Sequence, residues 1–399
     1  MGAVEQVESN DRKAVTSFVR MDEALLGHHP HHVAAINADL KKVMLGNSAF
    51  NRGMEHAMFV LKDSEGAAIG RATAFVNDRW QAHHGEPVGF IGNLTFGDKV
   101  DVAAAQDLFA AAEGWLRGRG ATRSITPVDG TGLLGLGLQV ADHDVTPMFP
   151  GRWNPAHWAG LIESCGYASR YPLLTCEVDF TSEQYQTVAQ RAIDSAACTV
   201  RPIDKKRWKE EIALLNTIFN LGMADEWEFN PYTTEEFLEV AGALKPIADP
   251  NTFLFAEVNG QPVGICFGLP DLSPLMQSFH GKLGPVQLVK LLRGGRRPDR
   301  WGLIGIAVNP EYRGKHIGQT LAATLFRHFE TLGMRSAPYY WVNESNLGSR
   351  RLAESFGAQS HTAYVAYDKQ LSTTRGSERR GTPFDARQPH PSADAYPAA

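Results

Sequence analysis

Residues 308–325 read VNPEYRGKHIGQTLAATL. The apolar run leading into them, IGIAV (304–308), predicts a strand, and Asn309-Pro310 predicts a turn. A short basic loop follows, Arg313-Gly314-Lys315-His316-Ile317-Gly318. It opens into a segment whose apolar residues recur at helical spacing. A strand that feeds a glycine-containing loop into a helix start gathers free backbone N–H groups, the positive helix end and two or three cations at one point. Those are the requirements for binding a pyrophosphate.

The rest of the chain bounds what such a site can serve. At 399 residues, two or three domains are expected. Hydrophobic content of 43% and charged content of 21% are those of a globular protein with sizeable cores. A net charge of −5 argues against a generally basic nucleic-acid binder, though not against a local basic pocket. The apolar runs are too short for a membrane span, and MGAVEQVESNDRK lacks a signal peptide's apolar core. Cys165, Cys176, Cys198 and Cys266 show no zinc-ligand spacing, so reduced thiols in a cytoplasmic protein are expected. The run His28-His29-Pro30-His31-His32 invites a metal reading. Adjacent histidines point in different directions and no partner follows at ligand spacing, so a solvated loop and no metal are expected.

An internal repeat organises the chain. HAMFVLKDSEGAAIGRATAFV (56–76) and NTFLFAEVNGQPVGICFGL (251–269) each read as a hairpin, turning near Gly66 and at Asn259-Gly260. Residues 105–128 match 319–342: a helix that stops at Gly120 or Gly333, then a strand. Residues 163–180 match 354–371: a helix ending at Gly166 or Gly357, then an alternating strand. Offsets near two hundred residues mean duplicated domains rather than a solenoid, whose repeats span ~20–50 residues. The halves are placed at 12–180 and 199–370, joined by a helical linker near 181–196. The tail 371–399, rich in Pro, Ser and Arg, reads as disordered. The first half carries an extra segment around GTGLLGLGLQVADHDVTPMFPGRW. The second carries one at 269–300, predicted as a helix and loop.

The second half resembles the GNAT acyltransferase superfamily, whose donor motif lies between the fourth strand and the third helix. Arg313, Gly314, Lys315, His316, Ile317 and Gly318 occupy that motif. The preceding strand, the fifth strand PYYWV and the last helix NESNLGSRRLAESFGA complete the match over essentially all of 199–370. His316 stands where the motif's first glycine lies, which requires a helical φ there. The first half resembles a degenerate copy: its counterpart loop, NLTFGDKVDVAAAQDL, has Asp98 and Asp101 where cations belong. Two carboxylates would repel a pyrophosphate. The expected fold is therefore α/β with mixed sheets, two tandem GNAT-like domains, and one acyl-CoA site per chain.

The resemblance implies roles for particular residues. Amides from Gly314 through Gly318 would hold the pyrophosphate of acetyl-CoA or another acyl-CoA, with Arg313 adding charge. Ile306 and Val308 would pair with the pantetheine arm like an added strand, and Asn346 would bond the same arm. Glu344, just after PYYWV, is the expected base. The family's acid, a tyrosine seven residues after that Asn, is replaced by Ala353. Tyr339, Tyr340, Tyr364 and Tyr367 are the substitutes, with Tyr367 taken as the acid. Asp225, Glu226 and Glu228 would bind a cationic amine, with Trp227 as an apolar wall; a capping box at Thr233–Glu236 is the simpler explanation of the acidic pattern there. The extra segment at 130–150 would lie against this site. The implied reaction is direct acyl transfer to the primary amine of a small molecule in a ternary complex, by a monomer or homodimer. Two alternatives stay open: an acyl-carrier-protein donor docked on GGRRPDR (294–300), with a long-chain or specialised amine, and a non-catalytic ligand-binding module.

Overall fold

The two hairpins form as their turns dictate. In the computed structural model, which describes residues 3–294 and 298–371, Asn259 and Gly260 both take left-handed backbone angles, φ 52° and 75°. This is the geometry that matches the twist of a two-residue hairpin. The four glycines expected to stop helices, Gly120, Gly166, Gly333 and Gly357, are also left-handed, at φ between 76° and 90°. The tail from 372 onward and residues 295–297 of the GGRRPDR stretch lie outside the described residues.

The strands, in chain order, are β1 Ala3–Val7, β2 Met54–Lys62, β3 Ala68–Asn77, β4 Val88–Phe96, β5 Arg123–Thr126, β6 Leu138–Gln139, β7 Ala168–Asp179, β8 Thr199–Pro202, β9 Phe253–Val258, β10 Gln261–Pro270, β11 Trp301–Val308, β12 Ser336–Asn343 and β13 Gln359–Gln370. They form one mixed sheet in the order β1-β2-β3-β4-β5-β13-β7-β12-β11-β10-β9-β8, with β6 pairing β13 off this path. The repeat is visible in that order, and so is an exchange. β7, the last strand of the first repeat, pairs with β12 of the second, Tyr339 opposite Cys176. β13, the last strand of the second repeat, pairs with β5 of the first, Tyr367 opposite Thr126.

The cores follow the exchange. Under helix Val102–Gly118, Val365 and Tyr367 from β13, with Leu371 just past its end, join Leu108, Phe109 and Leu116. Under helix Ile317–Thr331, Cys176 and Val178 from β7 join Leu321, Leu325, Phe326 and Phe329. A third apolar cluster runs between the halves, from Phe75 and Phe90 to Ile212, Phe229 and Phe255. The linker contains helix Glu183–Asp194.

Two parallel contacts interrupt the otherwise antiparallel sheet. β4 and β5 pair from Val88–Arg123 to Phe90–Ile125. β11 and β12 pair at one position, Leu303 with Tyr339, and diverge beyond it. β12 bulges in the diverging stretch: its register against β7 shifts between Tyr339 and Val342, and Trp341 is left-handed at φ 53°.

Candidate active site

The loop after β11 presents an uncapped helix start. Helix Ile317–Thr331 has His316 as its N-cap, and the His316 side chain makes no capping bond. Among the described residues, no backbone N–H from Gly314 through Gln319 donates to a protein acceptor, and the first such bond is Thr320 N–H to His316 O at 3.1 Å. A Cβ built on Gly318 would meet nothing nearer than Ile306 Cδ1 at 3.9 Å, so the helix mouth is open. Lys315 sits over the Tyr312 ring at 4.5 Å. These groups fit a pyrophosphate: unpartnered donors, the positive dipole end and cations at one point.

One expectation about this loop is corrected. His316 does not take a helical φ; it is left-handed, at φ 58° and ψ 14°. The backbone keeps the conformation that a glycine would adopt there, and the side chain bears a strain of about 1–2 kcal/mol. The helix behind it sustains that strain. Ile317, Leu321, Leu325 and Phe329 are buried, each contributing roughly 1.5–3 kcal/mol.

The first half's counterpart is closed in two ways. Asp101 caps helix Val102–Gly118, its carboxylate accepting from Ala104 N–H at 2.8 Å, so the helix end already holds an anion of the chain's own. The edge of β4 past Phe90 is also taken: Ile91 O accepts from Val128 N–H at 3.0 Å, and Asp129 Oδ1 accepts from Asn93 N–H at 2.6 Å. A Cβ on Gly92 would lie 2.2 Å from Val128 O. No arm could enter there as an added strand. Asp98 faces His28 and His29, at 3.1 and 3.5 Å. The two adjacent histidines therefore converge rather than diverge, and one ligand atom from each of the three residues lies within 4.8 Å of the others.

On the other side of the diverging strands, the acidic–aromatic lip at 223–237 folds into a network. Asn343, at the end of β12, donates from Nδ2 to Glu226 Oε2 at 3.1 Å and to Glu228 Oε2 at 3.3 Å. Asn346 donates to Glu226 Oε1, and its own Oδ1 accepts from Ser349 N–H at 2.8 Å. Both ends of the Asn346 side chain are thus engaged by protein, as the N-cap of helix Leu347–Ser355. Burial, then repulsion from Glu226, pushes the Glu228 carboxyl up to about 8. The Glu226 carboxyl is raised as well, chiefly by burial. Asp225 instead pairs with Arg313 at 3.1 Å, and Arg313 also donates to Gly222 O at 3.1 Å, which ties the donor loop to the lip. Trp227 stacks on Tyr171 of β7, ring centroids 4.1 Å apart.

The first half holds this lip in place, which sequence reading missed. Asn77 donates to Asn230 and to Gly130 O, Trp80 Nε1 donates to Trp227 O at 2.9 Å, and Arg79 grips the buried Glu236 carboxylate with both terminal nitrogens. Thr233 and Glu236 do form the capping box read from the sequence. The 130–150 segment reaches the lip too: Thr131 Oγ1 bonds Asn230 and Tyr232, and Glu228 Cγ lies 3.6 Å from where a Cβ on Gly132 would sit.

Other expected residues fall elsewhere. Glu344 is exposed, and its described bonds are through its backbone. Tyr367 is buried in the first half's core beside Trp158 and Ile162, brought there by the strand exchange. Tyr340 OH accepts from Met148 N–H, Tyr364 OH is enclosed without a partner, and Ala353 is buried. Tyr339 alone of the four tyrosines reaches the last helix, donating to Ser349 Oγ at 2.9 Å. Among the described residues no helix is long and apolar enough to cross a membrane.

Comparison with known proteins gives a matching family and a matching fold. The Acetyltransferase (GNAT) family matches residues 216–358. Protein YghO of Escherichia coli is 28% identical over 381 residues, 92% of this chain and 94% of that protein. A bacterial ceramide synthase of Caulobacter vibrioides is 28% identical over 318 residues, 77% of this chain and 82% of its own. A tandem GNAT protein from the clavulanic acid biosynthesis pathway superposes with a TM-score of 0.55 at 11% identity, over 94% of this chain and all of that one. Residues 216–358 thus match the Acetyltransferase (GNAT) family, and the chain as a whole shares the fold of a tandem GNAT protein.

Proposed function

We propose that this protein is an N-acyltransferase that moves an acyl group from acyl-CoA to the primary amine of a long-chain or other small-molecule acceptor. The second half, 199–370, carries the reaction, and the first, 12–180, serves as its scaffold. The observation that carries this reading is the joining of two features by the Arg313–Asp225 pair. One is an open, cation-bearing helix start after β11, which pairs with β12 only at Leu303. The other is the half-buried carboxyl of Glu228, raised to about 8, in the acidic lip.

The chemistry asks little more. The amine attacks the thioester carbonyl, a C–N bond forms, and the C–S bond breaks as CoA leaves as a thiolate. Glu228 is proposed as the base that removes the amine proton, in place of the exposed Glu344. Asn343, bonded to Glu226 and Glu228 together, aims both carboxylates. The backbone N–H near Val308 is proposed to steady the oxyanion. A thiolate is a far better leaving group than an alkoxide and can depart without an acid, which is consistent with alanine at 353. The relative named as a ceramide synthase favours a long-chain acceptor, since a ceramide is an N-acylated long-chain amine. The Trp227–Tyr171 stack offers such a chain an apolar wall. Mass-spectrometric screening of acyl-CoA and acyl-carrier-protein donors against short- and long-chain amines tests this. N-acylated product from acyl-CoA is expected, and no product with any donor, with no acyl-CoA binding by calorimetry, would overturn it.

A further inference from the structure

Among the described residues eleven large apolar side chains are exposed, and four of them, Leu283, Val286, Leu288 and Val289, fall within seven consecutive positions. They belong to helix Pro285–Gly294 and the turn before it, in the segment that separates β10 from β11. Val286 is 65% exposed. The helix is docked by its other side: Leu291 and Leu292 pack on the small cluster of Ile247, Leu272, Met276 and Phe279. Its outer stripe is Val286, Val289, Lys290 and Arg293, three and four residues apart, with exposed Lys282 just before it. From 282 to 293 there are three cations and no carboxylate, in a chain whose net charge is −5. Arg296 and Arg297 follow in the sequence, outside the described residues.

We infer that this helix is a membrane-surface anchor, lying in the headgroup layer of an anionic bilayer. Its valines and leucines would enter the acyl boundary while Lys282, Lys290 and Arg293 contact lipid phosphates. Apolar side chains flanked by cations on one helix face are what an interfacial helix presents. A small acidic protein would complement the cations but leave the apolar stripe unexplained; an anionic lipid surface accounts for both. One short helix with three cations gives weak, reversible, salt-sensitive attachment. The inference does not depend on the catalytic reading, and its test contains neither donor nor acceptor.

The test is co-sedimentation of the full chain with phosphatidylcholine vesicles, with or without about one third phosphatidylglycerol, at low and high salt. The wild type is expected to pellet with the anionic vesicles and to be released by salt. Val286→Asp/Val289→Asp and Lys290→Glu/Arg293→Glu, all at exposed positions, should each lower partitioning at least tenfold with an unchanged melting temperature. Failure of the wild type to pellet would overturn the proposal, as would variants that partition like it. Loss in the charge variant alone would also overturn it, since the apolar face would then be idle. So would capture of an acyl-carrier protein by this face without vesicle binding.

Discussion

Replacing Glu228 with Gln removes the proposed base and leaves the shape of the lip nearly unchanged. At a pKa of about 8 the carboxyl is roughly one-tenth ionised at pH 7 and about nine-tenths at pH 9. Turnover limited by the ionised fraction therefore rises about tenfold across that interval. The acceptor amine also loses its proton over this range, so the quantity to measure is the ratio of wild-type to Glu228→Gln kcat/KM at each pH, in which the acceptor's titration cancels. We expect a deficit of about 10²–10⁴-fold at high pH that shrinks toward neutrality. Stability gives a second reading with the opposite sign. The folded state holds this proton up to about pH 8 while the unfolded chain releases it near 4.5. Wild-type stability should therefore fall relative to the variant as pH rises through that window. At about 1.4 kcal/mol per pH unit the loss reaches a few kcal/mol, read as a difference in denaturant midpoint between pH 5 and pH 9. A ratio independent of pH, or a variant within about twofold of wild type throughout, would refute the assignment.

Three further substitutions probe the donor loop and its counterpart. Arg313→Ala should raise the acyl-CoA Kd by about tenfold or more, the worth of a charge-assisted phosphate contact of ~1.5–3 kcal/mol. Its half-exposed pair with Asp225 adds well under ~1 kcal/mol to stability, so the melting temperature should barely move. His316→Gly should leave calorimetric acyl-CoA affinity within about threefold and hold or raise the melting temperature, because glycine takes the φ of 58° without the ~1–2 kcal/mol strain. A tenfold loss of affinity would mean that the imidazole itself meets the donor. Asp101→Ala should cost about 1 kcal/mol of stability as a lost helix cap and leave the acyl-CoA stoichiometry at one, measured by denaturation and calorimetry.

The candidate donor loop was legible because its signal is local. Strand, turn, loop and helix follow one another within about twenty residues, and each step obeys short-range rules of spacing and backbone freedom. The hairpins and the glycine helix stops were readable for the same reason. The acceptor side was not, because it is assembled across the chain. Glu228 was visible as one of several acids, but what raises its carboxyl is its burial beside Glu226, under a segment from the other half. Arg79 and Glu236 lie 157 positions apart, and nothing in either neighbourhood announces the partner. Tyr367 is one of four tyrosines on alternating strands that could stand in for the acid missing at Ala353. The pattern correctly gives a strand with a buried face, but it cannot say which sheet that strand joins.

The strand exchange ties the first half, whose counterpart loop is closed, into the architecture of the second. β13 supplies Val365 and Tyr367 to the first core, and β7 supplies Cys176 and Val178 to the second, so each half completes the other's apolar interior. Tyr171 on β7 then stands against Trp227 of the lip, and helix Asp78–His84 brings Arg79 and Trp80 to the same segment. The lip itself is short and strongly acidic. Alone it would expose Glu226 and Glu228 to water and leave their carboxyls in the ordinary range. Packed under Gly132 and gripped from the first half, it keeps the Glu228 carboxyl half-buried, with its pKa raised, beside an amide that can orient it. The closed slot at Asp129 and Asp101 fits the same division of labour. There the groups that would receive a donor are used to fix the first half's own chain, and rigidity in that half is what a half-buried, pKa-shifted carboxyl in the other requires.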